Sequence, residues 1–129
     1  MKRARYALLV IRALWELALY DLLNRAFGFR LIQRQAARQR ADSNPSHPEA
    51  GELVCDAVSL AACFYWKPVR CLQRSVVVMR LLRRCGIDGR LVIGYRPSPF
   101  LSHAWVEVDG RVVNDSPVYK ERLHVLCTF

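Results

Sequence analysis

The chain has 129 residues, enough for one domain with a modest hydrophobic core. Its 20 Lys and Arg against 11 Asp and Glu give a net charge of +9, which favours an acidic partner such as a peptide, a membrane surface or a nucleic acid without choosing among them. Five cysteines without a Cys-x-x-Cys pair argue against a disulfide framework and against a zinc site. We therefore expect a reducing, cytoplasmic setting and no metal or cofactor.

The N-terminal segment MKRARYALLVIRALWELALY begins like a signal peptide. Arg12, Glu16 and Asp21 interrupt its apolar run, so we predict neither export nor a membrane span. Apolar residues recur instead at steps of three or four, which is typical of an amphipathic helix. We call them the Leu8 stripe: Leu8, Ile11, Trp15, Leu19 and Leu22. The helix is expected to pack on its own domain rather than at a membrane interface. The stripe is the leading surface for docking a partner protein, with packing on the core of the domain as the alternative.

A change of composition divides the chain into two regions. After Gly28 the sequence becomes basic and rich in Gln, and ADSNPSHPEAG at residues 41–51 collects residues that are typical of turns and linkers. We therefore predict an N-terminal helical extension with its linker at residues 1–44 and a compact domain at residues 45–129.

Two helices are predicted at the start of the second region. PEAGELVCDAVSLAACFYW predicts the first, with an apolar face formed by Leu53, Ala57, Leu60, Ala61 and Phe64. Pro68 is expected to open the second helix, since proline is tolerated in a first turn. That helix should run from about Val69 to Arg84 and end at Gly86.

Three short strands are predicted next, at residues 90–96, 101–108 and 111–115. The predicted helices and strands together indicate an α+β fold, with helices packed on a small antiparallel sheet.

The turn between the last two strands decides whether His103 and Asp115 lie together. A two-residue Asp-Gly loop would place the two side chains on opposite faces of the sheet. A three-residue Val-Asp-Gly loop, with its glycine left-handed, would match Glu107 with Arg111 and set His103 opposite Asp115. We predict the second register because it pairs opposite charges and apolar side chains.

A histidine oriented by an aspartate forms two parts of a nucleophilic triad, so a thiol or hydroxyl should complete it. Cys71, in PVRCLQRS, sits in the first turns of its predicted helix. There the free backbone amides and the helix dipole favour a thiolate, and the same amides could hold an oxyanion. Ser75 lies one turn deeper, and Cys85 lies at the unfavourable end of the dipole.

The order CLQRS, RRCGIDGRLVIGYR, SHAWVEVDGRVVND resembles the transglutaminase-like superfamily, with its papain-type sequence of Cys, His and Asp. More narrowly, residues 60–117 resemble the B2 proteins of lasso peptide biosynthesis, which are cysteine proteases that remove the leader from a ribosomally made precursor. The resemblance implies a papain/transglutaminase-like protease core at residues 45–129. It assigns Cys71 as nucleophile, His103 as general base and Asp115 as the orienting acid.

The resemblance also implies partners. They are the precursor's leader peptide and a separate B1 leader-recognition protein, with the lasso cyclase as a further candidate. A separate B1 protein is expected because residues 1–44 do not fit the small recognition domain that the family often fuses to the protease. We expect no nucleic acid partner, because the charge is scattered and no recognised motif is present.

Two alternative functions stay open. A transglutaminase-like acyl transferase would use an amine in place of water, and an inactive module would bind peptide without chemistry. The remaining cysteines, Cys55, Cys63, Cys85 and Cys127, are interpreted as small core residues. Arg74, within CLQRS, is assigned no chemistry.

Overall fold

Helices pack against a four-stranded antiparallel sheet in the computed structural model, which describes residues 2–38 and 48–129. The helices are α1 Lys2–Phe27, α2 Phe29–Arg38, α3 Pro48–Phe64, α4 Cys71–Arg84 and α5 Val118–Arg122. The strands are β1 Arg90–Pro97, β2 Phe100–Val108, β3 Arg111–Val112 and β4 His124–Thr128, in the spatial order β3-β2-β1-β4. The predicted α+β class is confirmed. The boundary predicted between residues 44 and 45 lies outside the described residues.

Helix α4 is the central element of the core. It packs on β2, α3 and α1 and buries the apolar residues Val76, Val77, Val78, Met79, Leu81 and Leu82. Its run of three valines has strand propensity, but a helix surrounded by protein on most sides can bury all three. The apolar spacing was therefore the better guide to this segment.

Helix α1 turns a different face to the core from the predicted one. It buries Ala13, Glu16, Leu17 and Tyr20. Four members of the Leu8 stripe are exposed instead, each by 62% to 66%, and only Leu19 is half-buried. The helix packs on its own domain as expected, but through this other face, and the alternative that the stripe itself packs on the core was wrong.

Two features of the buried face explain this orientation. The carboxylate of Glu16 lies 3.0 Å from Arg80 Nε and 3.2 Å from Arg84 NH2, both on α4. The small Ala13 lets α1 approach its neighbours closely, and α3 likewise buries Val54, Ala57, Val58 and Ala61 while it exposes Leu53, Leu60 and Phe64. Small residues and the two ion pairs of Glu16 thus favour this orientation over one that buries the Leu8 stripe.

Leucines on the two faces of α1 test this orientation. Leu17→Ala should lower the free energy of unfolding by about 2–5 kcal/mol, because Leu17 is fully buried and its truncation leaves a cavity. Leu22→Ala should change it by less than about 0.5 kcal/mol, because Leu22 is 64% exposed. Urea denaturation of both variants makes the comparison. Equal losses, or a larger loss for Leu22→Ala, would contradict this packing.

The hairpin between β2 and β3 has the register that we did not predict. Val108 pairs with Arg111 and Glu107 with Val112, across a two-residue loop. Asp109 and Gly110 both have positive φ, 51° and 77°, as a type I′ turn requires. The predicted charge pair of Glu107 with Arg111 does not form, and Glu107 lies instead 3.4 Å from Lys120.

Strand β3 ends early, and this brings Asp115 to His103 by another route. Val113 N–H still donates to Val106 O at 3.0 Å. Val106 N–H, however, donates to the side-chain Oδ1 of Asn114 at 2.8 Å, so a side chain takes the place of the next backbone acceptor. The chain then bends out of the sheet. Asp115 therefore escapes the strict alternation of a strand, which would have placed it on the face opposite to His103.

Candidate active site

His103 and Asp115 form a direct hydrogen bond. His103 Nε2 lies 2.7 Å from Asp115 Oδ2, and both side chains are mostly buried. A carboxylate is only an acceptor, so Nε2–H donates and the neutral ring keeps its lone pair on Nδ1. The bond thus fixes the tautomer and leaves Nδ1 as the atom that can accept a proton.

Two further groups hold Asp115 besides the histidine. Its Oδ2 also lies 3.2 Å from Arg74 NH2, and its Oδ1 accepts a hydrogen bond from the Ser116 amide at 2.7 Å. The guanidinium and the amide both donate to the carboxylate and fix its position. The preceding residue, Asn114, anchors the same segment, because its Nδ2 donates to Ser75 Oγ at 3.0 Å.

Cys71 is the first residue of α4. The helix begins two residues later than the predicted Val69, with Arg70 as an extended N-cap that makes no side-chain capping bond. The first intrahelical bond at this end runs from Arg74 N–H to Arg70 O at 3.0 Å. The amides of residues 71–73 therefore have no partner within the helix, and they point toward the N-terminal end, where an anion is stabilised.

Helix α4 connects Cys71 to the His103–Asp115 pair through two contacts. Arg74, on the next turn, binds Asp115, and Ser75 Oγ donates to Ala104 O at 3.1 Å, beside His103. Cys71 Sγ and the His103 ring themselves are not hydrogen-bonded in this structure. In enzymes without substrate such bonds are often long and shorten only when the complex forms.

The other thiols are less suited to act as nucleophiles. Burial, followed by the charges of Asp56 and Glu52, raises the pKa of Cys55 to about 11. Burial also raises the pKa of Cys85 and of Cys127 above the usual thiol value. Cys63 lies exposed near the C-terminal end of α3. A buried thiol resists ionisation, so the environments of Cys55, Cys85 and Cys127 favour an inert role. The prediction of core positions was wrong for Cys63 and Cys85, which are exposed residues.

A cavity of about 640 Å³ lies away from this centre. It is bounded by α3, the C-terminal end of α4 and the β2–β3 hairpin, and its one thiol is Cys55. Since Cys71 lies at the opposite end of α4, the cavity does not belong to the His103–Asp115 site.

Helix α1 borders Cys71 on another side. Burial raises the pKa of Tyr20, and the neighbouring charges of Asp21 and Cys71 add to this shift. Burial alone would raise the pKa of Asp21, but hydrogen bonds from Lys67 and Tyr65 lower it below its usual value. An ionised Asp21 thus ties the segment before Cys71 to α1.

Two residues that contact the predicted triad were missed from the sequence. Arg74 could have been found, because it follows Cys71 by one helical turn within CLQRS and is a cation in need of an acidic partner. Tyr119 stacks on the His103 ring, with ring centroids 3.8 Å apart. Neither α5, which carries Tyr119, nor β4 was predicted, and nothing local in the sequence indicates this stacking.

Comparisons with known proteins give the family. The model of the transglutaminase-like superfamily matches residues 13–128. The chain belongs to the transglutaminase-like superfamily. The match includes most of α1 and all three residues of the predicted triad, and it confirms the resemblance to this superfamily inferred from CLQRS and SHAWVEVDG.

A curated relative shares a shorter stretch. The chain is 48% identical over 56 residues to the microcin J25-processing protein McjB of Escherichia coli. This stretch is 43% of the chain and 27% of the relative's length. No solved structure matches the chain. None of the described helices is long and apolar enough to cross a membrane.

Proposed function

We propose that the protein is a cysteine peptidase that removes the leader from a lasso peptide precursor, with Cys71, His103 and Asp115 as its triad. The hydrogen bond of 2.7 Å between His103 and Asp115 is the observation that carries this proposal, because it leaves Nδ1 as the base. The superfamily and the similarity to a microcin-processing protein support a role in peptide processing.

The reaction follows from the positions of these groups. His103 Nδ1 takes the proton of Cys71, and the thiolate attacks the carbonyl carbon of the scissile peptide bond. Amides in the first turn of α4 stabilise the oxyanion that forms. Nδ1 then gives its proton to the departing amine, which leaves an acyl-enzyme. Water, activated by the same Nδ1, releases the leader as a carboxylic acid and restores the thiol.

Arg74 and Asp115 act in this proposal as positioning residues. Asp115 stabilises the imidazolium and fixes its orientation, and Arg74 attaches the carboxylate to the helix of the nucleophile. We also propose a separate leader-recognition protein (B1) as a partner and the cytoplasm as the place of the reaction.

A single incubation tests the function. The precursor is mixed with the full chain, with and without the leader-recognition protein, and the products are identified by mass spectrometry. Hydrolysis yields a leader that ends in a free carboxylic acid, and faster release with the partner would support its role. A new amide formed with an added amine would indicate acyl transfer instead. A complex without any product would indicate a peptide-binding module and would overturn the proposal.

Replacing the aspartate should slow the reaction without removing it. Asp115→Ala should lower kcat/KM by about 10²-fold, because the imidazole loses the group that orients it. Asp88→Ala is the matched control and should leave the rate unchanged, since Asp88 pairs with the exposed Arg90, outside the proposed site. Leader release measured by mass spectrometry gives both rates. An Asp115→Ala rate equal to that of the control would exclude Asp115 from the site.

A further inference from the structure

The His103 ring has a stacking contact on its face in addition to the hydrogen bond to Asp115 at its edge. Tyr119 lies against it with ring centroids 3.8 Å apart and ring planes within 24°. Trp105 lies further away, at 6.4 Å, but is also close to parallel, at 23°. The planes of both neighbouring rings therefore lie within 24° of the imidazole plane.

Tyr119 is itself fixed by its surroundings. It packs against a small cluster formed by Val92, Trp105 and Leu123, which is separate from the main core. Trp105 is fully buried, and its Nε1 donates to Glu107 at 3.0 Å.

Helix α5 is attached to the hairpin by Lys120. The ammonium group of Lys120 donates to Gly110 O at 2.5 Å and lies 3.4 Å from Glu107. Lys120 thus holds the helix that carries Tyr119 against the β2–β3 hairpin, which precedes Asp115.

The stacked Tyr119 ring restricts tilting of the His103 imidazole, a motion that the hydrogen bond to Asp115 still permits. A single hydrogen bond at Nε2 still allows the imidazole to tilt about that bond, and tilting would displace Nδ1 from a bound thiol. A ring stacked in van der Waals contact prevents the tilt. Its π face also attracts the imidazolium that exists while Nδ1 carries the proton of Cys71.

We infer that Tyr119 is a positioning residue of the proposed reaction: its ring orients the His103 imidazole and stabilises its protonated form, and its hydroxyl is not needed. The inference rests on the proposed function, because it concerns the base of that same site. Tyr119 touches neither substrate nor the reacting atoms in this role, and it acts through His103 alone.

Alkylation of Cys71 by iodoacetamide is the direct measurement, because the rate follows the fraction of thiolate. The rate is determined on the full chain between about pH 5 and pH 10 by mass spectrometry of the peptide that contains Cys71. Tyr119→Leu should react about tenfold more slowly than the parent near pH 7, where the thiolate depends on the imidazolium. The two rates should converge near pH 10, where an isolated thiol ionises without help.

Two further variants serve as controls. Tyr119→Phe keeps the ring and should restore the parent profile. Tyr95→Leu removes a tyrosine from the Tyr95–His124 pair on the same sheet, where the rings are 5.9 Å apart and tilted by 50°, and it should not change the profile. Thermal unfolding of each variant accompanies the rates, so that a loss of fold is recognised.

The outcomes separate the inference from the function it rests on. A Tyr119→Leu profile equal to the parent's, or one lowered equally at every pH, would overturn the role of Tyr119 and leave the triad in place. Failure of Tyr119→Phe to restore the rate would also overturn it, since the hydroxyl would then be required. If Cys71 of the parent reacts no faster than Cys85 near pH 7, the proposed function itself fails.

Discussion

Cys71→Ala should reduce leader release by at least about 10³-fold, the scale of loss that follows removal of a triad nucleophile. The thiol is the only group in the proposed reaction that forms a bond to the substrate, and the neighbouring Ser75 cannot replace it. Ser75 is fully buried, and its hydroxyl is already committed to Ala104 O and to Asn114. The measurement is single-turnover cleavage of the precursor, followed by mass spectrometry.

Cys85→Ala is the matched control for this variant. Cys85 is the C-terminal cap of the same helix. The residue as a whole is exposed, but partial burial of its thiol raises the pKa. It should keep most of the activity. The fold should survive in both variants, because alanine is favourable in a helix and Cys71 is only half-buried. Comparable cleavage by Cys71→Ala and the parent would show that the mechanism is wrong.

The pairing of His103 with Asp115 could be predicted from the sequence, but the route to it could not. We obtained the pair from a three-residue loop, and the structure has a two-residue loop and a strand that ends at Val112. The deciding contact is the side chain of Asn114, which accepts the hydrogen bond of Val106 N–H. The alternation of apolar and polar residues predicts side-chain direction only while the strand keeps its backbone hydrogen bonds. It cannot indicate where a side-chain oxygen replaces a backbone carbonyl as the acceptor.

Hydrophobic periodicity could not predict which face of α1 is buried. The helix is apolar on most of its surface, so two different faces satisfy the spacing of an amphipathic helix. The Leu8 stripe has the larger residues, and the structure buries the face that carries Glu16. Which face is buried depends on Arg80 and Arg84, more than 60 residues away along the chain. A contact of this kind is tertiary, and no local pattern around residue 16 contains it.

The cluster of Glu16 and Arg80 should have a large effect on stability when it is broken. Glu16 is 2% exposed and the Arg80 side chain 14% exposed, and Arg80 NH1 also donates to Gln35 at 3.2 Å. Glu16→Met leaves the guanidinium of Arg80 without its carboxylate, and Arg80→Met leaves Glu16 with only the half-exposed Arg84. Each single variant should lose about 3 kcal/mol of unfolding free energy, because a buried charge remains without its partner.

The double variant, Glu16→Met with Arg80→Met, should recover most of that loss and lie within about 1 kcal/mol of the parent, since two apolar side chains of similar length replace the pair and no charge is left buried. Urea denaturation of the four proteins gives the coupling energy, which these losses put at about 5 kcal/mol for two groups in direct contact. A coupling energy near zero would mean that α1 does not present Glu16 to α4. The Leu8 stripe would then have to be reconsidered as the buried face, and with it the exposed apolar surface that this orientation leaves on α1.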